Sequence, residues 1–119
     1  MKRLIILGST GSIGVQALEV ADRNGYRVTA LAAGKNTQLL EKQARKFKPD
    51  IVAVSDENAA QDLKIRLQDT DIKVFSGEDG VCAAAQYEGD IVLNAIVGIA
   101  GLRPTLAAID AGKTIALAN

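Results

Sequence analysis

The sequence predicts a doubly wound α/β domain on a parallel sheet, and three observations carry that prediction. Apolar runs of strand length recur along the chain, each followed by a turn and a segment with helical spacing of its apolar residues. Most of these runs are continuously apolar rather than alternating, as strands covered on both faces are. The first run ends in a glycine-rich turn, Gly8-Ser9-Thr10-Gly11-Ser12-Ile13-Gly14, which opens directly into a helical segment. Right-handed crossovers between successive strands then wind the sheet in both directions.

Six strands are expected, at Arg3–Leu7, Arg27–Ala32, Ile51–Val54, Lys73–Phe75, Ile91–Leu93 and Thr114–Leu117. Ser12 is read as the cap of the first helix, with Ile13, Ala17 and Val20 as its buried stripe and Gly25 as its left-handed stop. The second helix runs from about Thr37 to Phe47, turns Leu40, Ala44 and Phe47 inward, and is ended by Pro49. Ser55 and Asp56 precede a third helix with the stripe Ala59, Leu63 and Leu67, and Glu78–Gln86 is a short fourth. The last helix, from about Leu102 to Ala111, has Pro104 in its first turn and Gly112 past its end.

The chain has 119 residues, which suits one domain over residues 1–119. Fourteen basic residues balance 14 acidic ones, so no overall field recruits nucleic acid or an anionic membrane. The apolar run after Lys2 and Arg3 is too brief for a secretory leader, and no stretch is long enough to span a bilayer; the expectation is a cytoplasmic protein. With one cysteine and no histidine, a disulfide, a zinc site and a histidine-based triad all lack their ligands or base. Asn119 follows directly on the last strand, at the edge where such sheets bind ligands, so the chain reads as a piece of a longer protein.

The glycines at positions 8, 11 and 14 have three separate uses: a sharp reversal, backbone approach to a diphosphate, and close packing of helix on strand. Free amides at the helix start would face the anion, helped by the helix dipole. The second strand ends Ala32-Ala33-Gly34-Lys35-Asn36, without the acid that holds the ribose diol of NAD. A carboxylate there would repel a 2′-phosphate, whereas Lys35 supplies a cation and Gly34 and Asn36 supply donors, so the expected cofactor is NADPH in a Rossmann-type domain. The fifth strand leads into Asn94–Gly101, a small-residue loop that could flank the nicotinamide, although Asn94 could equally cap its own turn. Cys82 reads as a small core residue, and the basic set Lys42, Arg45, Lys46 and Lys48 as a solvated helix face.

Three blocks, GSTGSIG at Gly8–Gly14, AAGKN at Ala32–Asn36 and NAIVGIAGLRPTLAAIDAGKTIALAN at Asn94–Asn119, resemble the amino-terminal domain of 1-deoxy-D-xylulose 5-phosphate reductoisomerases, and the likeness spans the chain. The resemblance implies NADPH contacts at Thr10, Gly11, Ser12 and Ile13 on the diphosphate turn. It implies further contacts at Gly34, Lys35 and Asn36 on the adenosine phosphate, and at Asn119 near the nicotinamide. It also implies a full-length homodimeric enzyme of isoprenoid biosynthesis that uses magnesium or manganese and NADPH to convert the sugar phosphate 1-deoxy-D-xylulose 5-phosphate into 2-C-methyl-D-erythritol 4-phosphate. The family's Lys-Glu pair, acidic metal ligands and substrate-phosphate pocket fall beyond Asn119, so this chain alone is expected to bind cofactor without turnover. Two alternatives stay open on the residues: another NADPH enzyme of similar plan, such as a semialdehyde dehydrogenase or dipicolinate-type reductase, and a non-catalytic NADPH-sensing domain.

Overall fold

Six parallel strands lie side by side in the order β4-β3-β2-β1-β5-β6, so the chain winds outward from β1 in one direction and then in the other. The computed structural model describes residues 2–117. Its elements are β1 (Arg3–Leu7), α1 (Ser12–Arg23), β2 (Arg27–Ala33), α2 (Thr37–Phe47), β3 (Ile51–Val54), α3 (Glu57–Arg66), β4 (Lys73–Ser76), α4 (Gly77–Ala85), β5 (Ile91–Asn94), a 3-10 turn at Gly98–Gly101, α5 (Leu102–Asp110) and β6 (Thr114–Leu117). The topological switch falls between β1 and β5, which pair in parallel from Leu4 with Ile91 to Leu7 with Asn94. A crevice must open there at the carboxyl ends of the strands, because the helices following β1 and β5 leave toward opposite faces.

Strand geometry divides the core into two layers. Successive side chains alternate across the sheet, so Leu4 and Ile6 of β1 pack with Leu18, Ala21, Leu40 and Leu63 beneath α1, α2 and α3. Ile5 and Leu7 pack with Val81, Ala84, Ala85 and Ala108 beneath α4 and α5. Burial of both faces explains the continuously apolar strands, and Ile5, Ile6 and Leu7 are all 0% exposed. Alanine at positions 30, 32, 53, 84 and 85 keeps the second layer thin, so α4 can settle on the sheet.

The first helix differs from the sequence expectation in two ways. Ser12 is the first helical residue rather than the cap; Gly11, in an extended conformation, is the cap and offers no side chain. The buried stripe is Gly14, Leu18 and Ala21, while Ile13 and Val20 are 41% and 43% exposed. Contact through Gly14 sets this rotation: the helix touches the strand where no side chain intervenes, which turns Ile13 outward. Helix α1 stops as expected at Gly25, which has φ +68°. Helix α2 buries Leu40 and Ala44 but also Gln43, and ends with Lys48 left-handed at φ 51° before Pro49.

Arg45 is exposed, as expected of its cluster, but it is also ion-paired. Its guanidinium holds Asp69 with two hydrogen bonds of 3.0 and 2.8 Å and Glu41 with one of 3.0 Å. Arg66 joins the same set through Asp62 at 2.8 Å and Glu41 at 3.1 Å, and Asp62 accepts from the Thr37 hydroxyl at 2.9 Å. This network fastens α2 to α3 and begins one residue after Asn36. Among the described residues no helix is long and apolar enough to cross a membrane.

Candidate functional site

The turn after β1 is fixed to the end of β2. The amides of Gly8 and Ser9 both donate to the Ala32 carbonyl, at 2.8 and 3.0 Å, and the Gly11 amide donates back to Gly8 at 3.2 Å. Gly8 takes φ +80°, and a Cβ there would meet the Ala95 backbone at 3.0 Å, so glycine satisfies both the reversal and the contact with the β5 loop. Gly14 brings the helix onto the turn, since its Cβ would stand 2.1 Å from the Gly8 carbonyl oxygen. Gly11 is different: only the Gly8 oxygen, at 3.6 Å, lies near its Cβ position, which leaves its outer side open.

That arrangement leaves a row of donors. The amides of Thr10, Ser12, Ile13 and Gly14 have no acceptor among the described residues, and the first turn of α1 carries no acid to offset the positive end of the helix dipole. The Gly11 amide, by contrast, is spent inside the turn, so the structure offers open space at Gly11 rather than a donor.

A cavity of about 330 Å³ lies beside this edge, lined by Gly34, Lys35, Ser55 and Asp56. Lys35 is exposed and makes no ion pair among the described residues. Asn36 lines neither this cavity nor the larger one next to it; its Oδ1 caps α2 by accepting from Leu39 at 3.2 Å. Only the amide nitrogen of that side chain is left to donate. Asp56 brings from the β3 turn the acid that the end of β2 lacks. Its carboxylate caps α3 by accepting from Ala59 at 3.0 Å, which spends part of its charge on the helix.

The neighbouring cavity, about 620 Å³, shares Gly34 and Ser55 and continues past Gly8 to Glu78, Val81 and the loop residues Ile96, Val97, Ile99 and Ala100. Asn94 shapes that loop from below. It is 4% exposed, donates to Gly101 at 3.0 Å and to the Thr105 hydroxyl at 2.7 Å, and accepts from the Ile96 amide at 3.0 Å. The side chain therefore caps its own turn, and none of its polar atoms is left over for a ligand. Thr10, Gly11, Ser12 and Ile13 stand outside the two cavity walls, on the open part of the same carboxyl edge. Asn119 lies outside the described residues.

Two residues of this region escaped the sequence reading. Ser55 sits in the turn after β3, and any turn at the carboxyl edge of the sheet is a candidate. Gln43 falls on the buried stripe with Leu40, Ala44 and Phe47, where a polar residue on an apolar face was the available signal. Burial pushes the Cys82 thiol pKa up, the opposite of what an activated nucleophile requires. Among the described residues no three metal-ligating side chains gather.

The family model described as 1-deoxy-D-xylulose 5-phosphate reductoisomerase matches residues 4–119. The protein of that name from Agathobacter rectalis is 58% identical over 121 residues, covering 100% of this chain and 32% of the relative. That from Desulfitobacterium hafniense is 53% identical over 122 residues, with the same two coverages of 100% and 32%. The chain thus spans about a third of the length of these curated relatives. Among solved structures, the Zymomonas mobilis reductoisomerase in complex with NADPH superimposes with a TM-score of 0.94 at 38% identity, covering 99% of this chain and 32% of that one. A reductoisomerase complex with NADPH, fosmidomycin and magnesium gives 0.94 at 38% identity, covering 100% of this chain and 30% of that one.

Proposed function

Because the chain belongs to the 1-deoxy-D-xylulose 5-phosphate reductoisomerase family, we propose that it binds and orients NADPH for the reduction that yields 2-C-methyl-D-erythritol 4-phosphate. The observation that carries this reading is the row of unpartnered amides at Thr10, Ser12, Ile13 and Gly14, on the same sheet edge as the Gly34–Lys35 cavity. A dinucleotide fits that layout. Its diphosphate meets the amides at the positive end of α1, and Gly11 leaves the space for it. The 2′-phosphate meets Lys35, with Gly34 and the Asn36 side-chain amide beside it.

The rest of the site supplies position. Ser55 and the Ile96–Ala100 loop wall the path along the carboxyl edge. NADPH, when bound, contributes the hydride; the residues of this chain hold it in place. The family match decides against the semialdehyde dehydrogenase and dipicolinate-type alternatives. The sugar phosphate substrate and the divalent metal belong to the same proposal for the whole protein.

Isothermal titration of the chain with NADPH and NADH tests the proposal. NADPH should bind about tenfold or more tightly than NADH, the scale of one charge-assisted contact. Equal affinities, or no NADPH binding, would contradict it.

A further inference from the structure

Ser9 is 0% exposed, and Gln43, 34 residues away on α2, donates its side-chain amide to the Ser9 carbonyl at 2.8 Å. Neither the Gln43 Oε1 nor the Ser9 hydroxyl, both buried, has a partner. An apolar side chain of similar size would pack on this stripe beside Leu40 and Ala44 without leaving an amide oxygen unpaired. What the glutamine adds is a fixed carbonyl.

We propose that Gln43 is a positioning residue for NADPH, acting through the Ser9–Thr10 peptide; this inference rests on the reading of the α1 turn as the diphosphate site. No peptide bond in the described chain is cis, so the Ser9 carbonyl and the Thr10 amide point in opposite directions from one plane. Gln43 holds the carbonyl inward, which aims the unpartnered Thr10 amide outward. The Ser9 amide is tied at the same time to Ala32 at 3.0 Å, so this peptide cannot rotate without breaking the Gln43 bond or the turn itself. With the bond absent, the peptide can turn over and present a carbonyl where the diphosphate requires a donor. The cofactor then meets repulsion instead of a hydrogen bond.

The same bond joins two parts of the site, because α2 begins at Thr37, next to Lys35 and Asn36. A purely structural Gln43 would, when replaced, disturb α2 and weaken recognition of the adenosine phosphate. A positioning Gln43 affects only ligands that carry the diphosphate. The two differ in which ligand feels the change.

Gln43→Met keeps volume and removes the donor, and titrations with NADPH, NADH and adenosine 2′-monophosphate separate the cases. NADPH and NADH should each weaken by roughly tenfold, the effect of one hydrogen bond to a charged group, while the monophosphate should keep its affinity. Unchanged NADPH affinity, or an equal loss for the monophosphate, would overturn the proposal. Gln43→Glu supplies a second arm: ionised, it offers no donor, and protonated, it offers one. Its NADPH affinity relative to the unmodified protein should recover as pH falls, whereas that of Gln43→Met should not. If Gln43→Glu shows no recovery, the inference fails. A ligand-free arm distinguishes this failure from failure of the NADPH reading. In Gln43→Met the Thr10 amide resonance should show millisecond exchange broadening that the unmodified chain lacks; a sharp Thr10 resonance in the variant would overturn the inference even if the unmodified chain bound no NADPH.

Discussion

Gly14 stands so close to Gly8 that a Cβ at position 14 would lie 2.1 Å from the Gly8 carbonyl oxygen, with the Ser9 Cα at 2.7 Å. Backbone on both sides of the contact means that neither partner can swing away, and α1 is held at the height that exposes its first amides. Gly14→Ala should therefore destabilise the chain by about 2 kcal/mol or more, measured by urea unfolding, and lower NADPH affinity with it. Gly11→Ala is the contrasting case, since its Cβ has open space on the protein side. Stability should change by only about 1 kcal/mol or less, while NADPH binding falls because the added methyl group occupies the ligand's approach. If Gly11→Ala keeps the original NADPH affinity, Gly11 has no special part in binding.

Two charges of opposite sign, Lys35 and Asp56, line the cavity at Gly34, and their removal should act in opposite directions. Lys35→Ala should reduce the NADPH-over-NADH preference by about 1 to 3 kcal/mol, the range for a charge-assisted hydrogen bond. Asp56→Asn keeps an oxygen to cap α3 and removes the negative charge, so the same preference should increase with little change in melting temperature. Calorimetric titration with both cofactors gives both ratios. A Lys35→Ala variant with the original ratio would remove Lys35 from phosphate recognition.

Asn94 ties β5 to its loop with three hydrogen bonds, and no water can substitute easily at 4% exposure. Asn94→Leu leaves the Ile96 amide without its acceptor and should cost about 2 to 3 kcal/mol in chemical denaturation. Because the loop residues Ile96 to Ala100 wall the larger cavity, the order of that loop should decline as well, seen as faster amide exchange at Ile96. A variant of unchanged stability would show that the loop is held by its apolar contacts alone.

The pH response follows from the α2–α3 network. Hydrogen bonds from Arg45 and then Arg66 hold the Glu41 carboxyl below its usual pKa; Arg66 and then Thr37 do so for Asp62, and Arg45 for Asp69. A carboxyl depressed in the folded state binds fewer protons there than in the unfolded chain. Its contribution to stability is present above the ordinary carboxylate range and is lost as pH falls through the depressed values. Stability should thus hold from neutral pH to about pH 5 and decline below about pH 4, and added salt should reduce the network's share. Arg45→Met should flatten the acid limb of the pH profile; an unchanged limb would assign acid sensitivity to other carboxylates.

Much of this fold could be read from the sequence because its signals are local. Continuous apolar strands, Gly25 and Gly112 as stops, and Pro49 after α2 each report on a backbone requirement of their own neighbourhood. The errors lie where tertiary contact decides. The rotation of α1 is set by Gly14 against Gly8, so Ile13 and Val20 point outward although their spacing suits a buried stripe. The Asp56 carboxylate reaches the Lys35 cavity only because β3 lies beside β2, and the exposed Arg45 finds Asp69 only because α3 packs against α2. Lys35 and the glycine turn are legible as candidates from residue type and position; the Gln43 bond to Ser9, spanning 34 residues, is not.

In the proposed function, backbone amides at the start of α1 grip the diphosphate of NADPH. A titration of the uniformly 15N-labelled chain with NADPH, followed by amide chemical shifts, tests it residue by residue. The largest saturable shifts should fall on Thr10, Ser12, Ile13 and Gly14, followed by Lys35 and Asn36. Saturable shifts confined to other surfaces, with those four amides unmoved, would contradict it.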